Sequence, residues 1–426
     1  MTTATDPHQA APGFHVGQLI NDTRYRSYTF QFIALVLLIF GFSWLISNMF
    51  ANLEDLGQDI SYDFLRAPAG YDINQQPIPY NSQDTHLRAT IIGAMNTLIV
   101  AFLACVTATI LGVIAGVLRL SNNWIVAKLM AVYVEAFRNI PVLIWILIIF
   151  TVTANIFPQP RDFRGEDATA SPLFGVIAVT NRGIYVPAPY FTNGIGAQEI
   201  EAGTEVTIAN ASSSANWLIV IGVLAASFLT ARAVSGWAAR KQAATGDRPT
   251  TWPAVLAIWV LPILVTVIVL GLHWDIPALK GFNFQGGLLM RNSLLALWFA
   301  LAVYTGAFIA ENVRAGILAI SKGQTEAAAA LGLRPGRIMR LVVLPQALRV
   351  IIPPLISQYL NITKNTSLAI AVGYMDLTGT LGGITLNQTG RALECVLLLM
   401  LFYLTFSLAI SAFMNVYNNS VRLKER

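Results

Sequence analysis

Long apolar runs set the organisation of this 426-residue chain. About eight can be marked, near residues 30–51, 88–118, 124–156, 215–236, 252–272, 289–318, 345–374 and 393–417. Each approaches or exceeds the ~20 residues that an apolar helix needs to cross ~30 Å of hydrocarbon. The pattern predicts an all-α membrane protein with about eight transmembrane helices. The third and seventh runs exceed one crossing, so each is expected to hold an interfacial or broken piece. Pro353-Pro354 lies inside the seventh and is expected to kink or break it. The first run, from Phe32 to Ala51, is too long for a signal-peptide core and reads as an uncleaved membrane helix.

The polar segments between the runs differ in charge. Arg24 and Arg26 precede the first run, Arg119 and Lys128 follow the second, and Arg232, Arg240, Lys241 and Arg248 follow the fourth. Arg334, Arg337 and Arg340 follow the sixth, and Arg422, Lys424 and Arg426 end the chain. The segment 51–87 carries Glu54, Asp55, Asp59, Asp63, Asp72 and Asp84 instead. Cations are retained on the cytoplasmic side, so one orientation satisfies every loop: both termini and the Glu326 loop inside. The loop 157–214 is then external. Its length, its Gly, Ser and Asn content, and its Pro158, Pro160, Pro172, Pro187 and Pro189 fit a small extracytoplasmic subdomain or hairpin with short strands.

Composition narrows the function. The chain is 55% apolar and 12% charged, whereas charged residues make up about a quarter of a soluble protein. Its net charge of +5 therefore belongs to cytoplasmic loops and not to nucleic-acid binding. Cys105 and Cys395 fall inside apolar runs, as inert core residues would. His8, His15, His86 and His273 are scattered with no His-Glu-x-x-His spacing, so no metal site is expected. No cofactor is expected either. A Gly-x-x-x-x-Gly-Lys-[Ser/Thr] loop is missing from the sequence, so the chain is not expected to bind ATP by that means.

One short segment carries more information than the rest. Glu326-Ala327-Ala328-Ala329-Ala330-Leu331-Gly332 is followed by a cationic stretch and then Val342-Val343-Leu344-Pro345. Alanines let two helices approach closely, Gly332 permits a turn that ends a helix, and Pro345 can open the next. The segment resembles the EAA loop of bacterial ABC importer permeases, departing from it by Val342 in place of Ile. In that family the loop forms a short helix that docks on the ATP-hydrolysing subunit. The resemblance thus assigns Glu326, Ala327, Ala328, Gly332, Leu344 and Pro345 to coupling, with Ala327, Ala328 and Leu331 turned to the partner. Gly306-Ala307-Phe308-Ile309-Ala310-Glu311-Asn312-Val313-Arg314-Ala315-Gly316-Ile317 and Gly323-Gln324-Thr325-Glu326 resemble permeases of polar amino acid importers more narrowly. So do Phe137-Arg138-Asn139-Ile140-Pro141 and Lys364-Asn365-Thr366-Ser367-Leu368.

Individual polar residues leave two readings each. Glu311 falls about 30 Å along its helix from Arg291, with Arg314 three residues on, and Glu135 and Arg138 repeat the spacing. Either each pair neutralises itself at the interface, or the four form a cytoplasmic gate. Lys364 lies about 29 Å beyond Pro345, among Asn361, Thr363, Asn365, Thr366 and Ser367. Either it reaches the outer headgroups, or Asn361, Lys364, Asn365, Thr366 and Ser367 line a substrate path, where cationic donors and amide acceptors suit an amino acid. Asp376, beside Gly379, Gly382 and Gly383, reads foremost as an ordinary external loop and second as a re-entrant mouth.

The expected organisation is a cytoplasmic tail over 1–28 and an extra helix with external loop over 29–87. The two parts of a type I importer permease core follow at 88–156 and 286–420, around an insertion at 157–285 that carries a helix pair. Long permeases of this shape resemble subunits of general or glutamate/glutamine/aspartate/asparagine-type L-amino acid importers of the bacterial inner membrane. That resemblance implies a second homologous permease, an ABC ATPase dimer and a periplasmic amino acid-binding protein as partners, besides membrane lipid. The rival is a secondary transporter driven by an ion gradient, which would show midplane carboxylates and repeat symmetry; neither is evident.

Overall fold

The computed structural model describes residues 17–55, 57, 59–165, 168–195, 198–202, 205–209 and 214–421. Arg422, Lys424 and Arg426, and with them His8 and His15, lie outside the described residues. Among the described residues, seven helices are long and apolar enough to cross a membrane, or eight spans when one bent pair counts as a single span.

The chain divides after Tyr62. In the first unit, helix α1 (Thr23–Asp55) has no buried residue and exposes Phe32, Leu35, Leu38 and Phe40 around its circumference. An apolar helix without an inward face is suited to lipid.

In the second unit, α2 (His86–Leu118) starts at Thr85, whose hydroxyl accepts the Arg88 N–H. Helix α3 (Trp124–Asn139) is capped by Asn123. Ile140 is extended, as a residue before proline prefers to be, and Pro141 turns the chain through 107° into α4 (Val142–Ile156). The third apolar run is thus broken in the middle. Phe137 stacks on Trp145 across the bend, with ring centroids 4.1 Å apart. Next come α5 (Ser214–Thr245), α6 (Trp252–Val269) and α7 (Asn292–Leu318). The short α8 (Lys322–Ala330) leads to α9 (Leu344–Asn365) and α10 (Ala392–Val421).

The core forms where α2 and α7 meet through small residues. A methyl added at Gly112 would lie 2.6 Å from Ile309 Cβ, and one at Gly116 only 2.6 Å from the Ala310 carbonyl. Ala101, Ala104 and Ala108 face Ala300 and Leu301 in the same buried cluster. Apolar side chains gain nothing by leaving lipid for one another, so close backbone approach is what holds such helices together. Pro353-Pro354 lie within α9 and do not break it. Helical geometry in fact begins at Pro335, and a wider π turn at Met339–Val343 precedes Pro345, where its missing N–H is least costly.

The insertion contains short strands besides its helix pair. Strands β1 (Ala178–Thr180) and β2 (Gly183–Val186) form an antiparallel sheet completed by β9 (Leu288–Arg291). Strand β3 (Ala188–Phe191) pairs with β6 (Leu272–Asp275), β4 (Gln198–Ala202) with β5 (Glu205–Ala209), and β7 (Ala278–Lys280) with β8 (Asn283–Gln285). The segments before α5 and after α6 therefore pair with each other.

Candidate functional site

The coupling segment is built as a helix with a defined stop. Gly332 sits at φ +78°. Its N–H donates to the Ala329 carbonyl at 2.9 Å, and the Leu333 N–H donates to the Ala328 carbonyl at 3.3 Å. This is the left-handed Schellman closure, which glycine adopts without a steric penalty. Gln346 on α9 donates to Gln324 on α8 at 3.0 Å and ties the two helices. Ala327, Glu326 and Leu331 are exposed, Leu331 by 82%. Ala328 is not. It is 6% exposed and packs against Ile338 and Val343 of its own chain. Ala327 and Ala328 are adjacent on a helix and point about 100° apart, and here the first faces outward and the second inward. Pro345 occupies the first turn of α9, as expected, although helical turns already run from Pro335 to Val343 ahead of it. Leu344 is exposed.

At the end of the bundle nearest this segment, three of the four ionic residues, Glu135, Glu311 and Arg314, come together through a fifth, while Arg138 pairs with none of them. Arg314 donates to Glu311 at 2.5 Å, and Arg119, the C-cap of α2, forms ion pairs with both Glu311 and Glu135, the latter at 3.7 Å. Arg138 lies over the Phe308 ring, 5.2 Å from its centroid. The ion pairs are not self-contained: Arg119 joins α2, α3 and α7 into one network. Sequence spacing alone hides this, because Arg119 is 192 residues from Glu311; its one legible signal is a cation at the end of an apolar run.

The polar cluster near Lys364 divides. Asn361 and Lys364 are exposed and Asn365 is half-buried, a spacing that puts the three on one face. Thr366 is buried on another; its hydroxyl donates to the Thr363 carbonyl at 2.8 Å and meets Tyr403 Oη at 3.5 Å. Ser367 donates to the Lys364 carbonyl. Asp376 is fully buried instead of lying in a solvent-facing loop. Its carboxylate accepts the Gly379 N–H at 2.8 Å and the Tyr403 hydroxyl at 3.2 Å. A buried carboxylate needs such donors.

Around Asp376, the segment between α9 and α10 presses on the first half of α2. Gly93 provides the room, since a methyl there would lie 2.9 Å from the Asp376 carbonyl. Asn96 donates to the carbonyls of Met375 and Gln75, and Thr97 accepts the Leu377 N–H. Thr385 meets both Tyr71 Oη, at 3.0 Å, and His86 Nδ1, at 3.1 Å. Burial pushes the Tyr80 hydroxyl up to about 12, so it remains a donor, here to the Tyr71 carbonyl at 2.8 Å. A cavity of about 520 Å³ opens beside this segment, lined by Ile370, Tyr374, Gly379, Gly383 and Asn387. That volume falls in the range of small-molecule sites. Among the described residues, no cluster of His, Cys, Asp and Glu could hold a metal.

The arrangement is one of two polar networks at opposite ends of α2, with a short capped helix beyond one of them. The model of the family described as binding-protein-dependent transport system inner membrane component matches residues 233–423. Over the whole of both chains, the sequence is 55% identical to the glutamate/glutamine/aspartate/asparagine transport system permease protein BztB of Rhodobacter capsulatus. This chain belongs to that family of inner membrane transport components. It is 42% identical to the general L-amino acid transport system permease protein AapQ of Rhizobium johnstonii, covering 97% of this chain and 96% of that one. It is 41% identical to the putative amino-acid ABC transporter permease protein YhdX of Escherichia coli, covering 94% and 95%. These matches run through α1 and the insertion, so this branch of the family shares both additions.

Proposed function

We propose that the chain is the permease subunit of an ATP-driven importer of L-amino acids of the glutamate, glutamine, aspartate and asparagine class. The observation that carries this is the 55% identity to BztB along the full length of both chains. The chain works as a heterodimer with a second, related permease. A periplasmic binding protein delivers substrate, and two ATPase subunits, which hydrolyse the ATP, receive the α8 segment. Both termini and α8 lie in the cytoplasm, which the alternation of cationic and acidic loops supports.

Within that reading, the network of Arg119, Glu135, Glu311 and Arg314, with Arg138 stacked on Phe308 beside it, closes the cytoplasmic end of the path. Charges joined across three helices separate when those helices move apart, which suits a gate. The face of Asn361, Lys364 and Asn365 lines the path. A lysine ammonium can take a substrate carboxylate, and the two amides can take its ammonium or side chain. The exposed Ala327 and Leu331 contact the ATPase; Ala328 holds the loop together from within.

Uptake of labelled glutamate, glutamine, aspartate and asparagine by a strain lacking the system, with and without plasmid-borne copies, tests the substrate class. Restored uptake of these four, competed by one another, is the expected result. No uptake of any amino acid from an assembled complex would refute it. Reporter fusions test orientation: outside at Gln75, inside at Gln242 and Arg334.

A further inference from the structure

The transport path proposed above uses no residue of the α5–α6 hairpin. Its outer end is clasped by backbone bonds from Thr192 to Gly271 and from Asn193 to Leu270, both 3.0 Å, while the Ile195 N–H donates to Asn216 Oδ1 at 2.7 Å. Asn216 on α5 and Leu270, the C-cap of α6, are thereby held at one level. From there α6 takes its 18 residues, about 27 Å, to reach Trp252. Helix α5 covers the same depth by about residue 234 and continues to Thr245. With Asn216 at the outer hydrocarbon edge, Trp237 to Lys241 lie about 32–38 Å away. The hydrocarbon is ~30 Å thick, and ~40–45 Å with both headgroup layers. These residues therefore fall in the inner headgroup layer, and Arg232, about 24 Å down, can extend its guanidinium to the same level.

The side chains there match that environment. Arg232, Arg240, Lys241 and Arg248 are exposed and enter no ion pair among the described residues. Asp247 is the only acid between 232 and 251. Lys241 lies over the Trp237 ring, 5.3 Å from its centroid, and Trp252 is exposed at the start of α6. Tryptophan and long cations together mark the interfacial layer. Exposed Leu218, Ile221 and Leu229 on α5, and Leu256, Leu261 and Val265 on α6, leave lipid as the neighbour above it.

We propose that the inner elbow of this hairpin is a binding surface for anionic phospholipid headgroups, formed by Arg232, Trp237, Arg240, Lys241, Arg248 and Trp252. It rests on the cytoplasmic orientation proposed above. Its chemistry is that of a juxtamembrane polybasic segment, in which each cation adds to the attraction for an anionic leaflet.

Native mass spectrometry of the full complex tests it, using phosphatidylglycerol and phosphatidylcholine of identical acyl chains. The wild type should retain phosphatidylglycerol preferentially, and the preference should fall as salt is raised. Each cation is worth roughly fivefold in partition, so the combined Arg240→Gln, Lys241→Gln and Arg248→Gln variant should lose roughly tenfold or more of the preference. Exchanging Arg240→Lys and Lys241→Arg should preserve it. A photoactivatable phosphatidylglycerol should label the 232–252 segment of the wild type, which decides the matter even if the Gln variant fails to insert. Equal retention of both lipids, labelling confined to other segments, or a preference undiminished in the Gln variant would overturn the proposal. A reporter at Gln242 separates the failures: found outside, the orientation is wrong; found inside with no lipid preference, the lipid surface alone is wrong.

Discussion

Gly332 allows a backbone effect to be separated from a contact effect. At φ +78° it carries the two hydrogen bonds that close α8, and a Cβ built there meets nothing within 4 Å. Any loss on substitution therefore comes from conformation and not from a clash inside the chain. An ordinary L residue in the left-handed region costs about 1–2 kcal/mol, with β-branched residues at the upper end and Asn, which visits that region routinely, well below it. For Gly332→Val the expected penalty is about 2 kcal/mol, or roughly a thirtyfold shift against the closed helix end. Because the penalty falls on a short peripheral helix, membrane insertion and the α2–α7 core should be unaffected. ATP-driven uptake into vesicles holding the assembled importer and its binding protein should fall tenfold or more in Gly332→Val. Gly332→Asn should keep most of it. If Asn and Val were equally damaging, side-chain bulk against a partner would be the cause and the backbone argument would fail. Undiminished uptake in the Val variant would show that the left-handed closure is not needed for coupling.

Three further outcomes follow from the same geometry. Cysteines at Ala327 and Leu331 should cross-link to the ATPase subunit while one at Ala328 does not, and Ala328→Trp should lower the thermal stability of the permease by displacing Ile338 and Val343; efficient cross-linking at Ala328 would contradict its inward packing. Glu311→Gln leaves Arg119 and Arg314 without their shared carboxylate and, at this part-exposed site, should cost about 1–2 kcal/mol and raise ATP hydrolysis uncoupled from transport; a double-mutant cycle between Arg119 and Glu311 that gives no coupling energy would dismiss the network. Lys364→Ala or Asn365→Leu should lower uptake while complex assembly stays intact, and transport equal to wild type for all four amino acids would remove that face from the path.

Much of this was readable from the chain because lipid imposes simple rules. Apolar length marks the spans and shows that the third run exceeds one crossing, although it does not reveal that the bend falls at Pro141. The α8 segment was legible as a motif, including the role of Gly332, but the direction in which Ala328 points was not. A run of four alanines carries no amphipathic signal, and its inward face depends on Ile338 and Val343 beyond the turn. Asp376 was misplaced for a related reason. Glycines and a carboxylate between two apolar runs look like a solvent-facing loop. Only the fold reveals that Gly93 of α2 leaves room for the segment and that Tyr403 supplies the donor its carboxylate needs. Arg119 was read as a topology charge, since nothing local signals partners on two other helices.

What the fold adds is a mechanical relation between the two networks. Asn96 and Arg119 stand on or at the end of the same helix, 23 residues and about 35 Å apart. Between them α2 meets α7 through Gly112 and Gly116, where neither backbone can move closer and the added bulk of one methyl would collide. A contact this tight tolerates sliding or separation more readily than bending, because packed interiors have discrete arrangements and not a continuum of them. If the separation of Arg119 from Glu311 or Glu135 is carried by α2, it would therefore tilt or shift that helix as a rod. At the other end that same displacement would strain the bonds from Asn96 to the Met375 and Gln75 carbonyls and from the Leu377 N–H to Thr97. In this fold the two ends can oppose one another without any element that unfolds, which is what the transport cycle proposed above, driven from a separate subunit, would need.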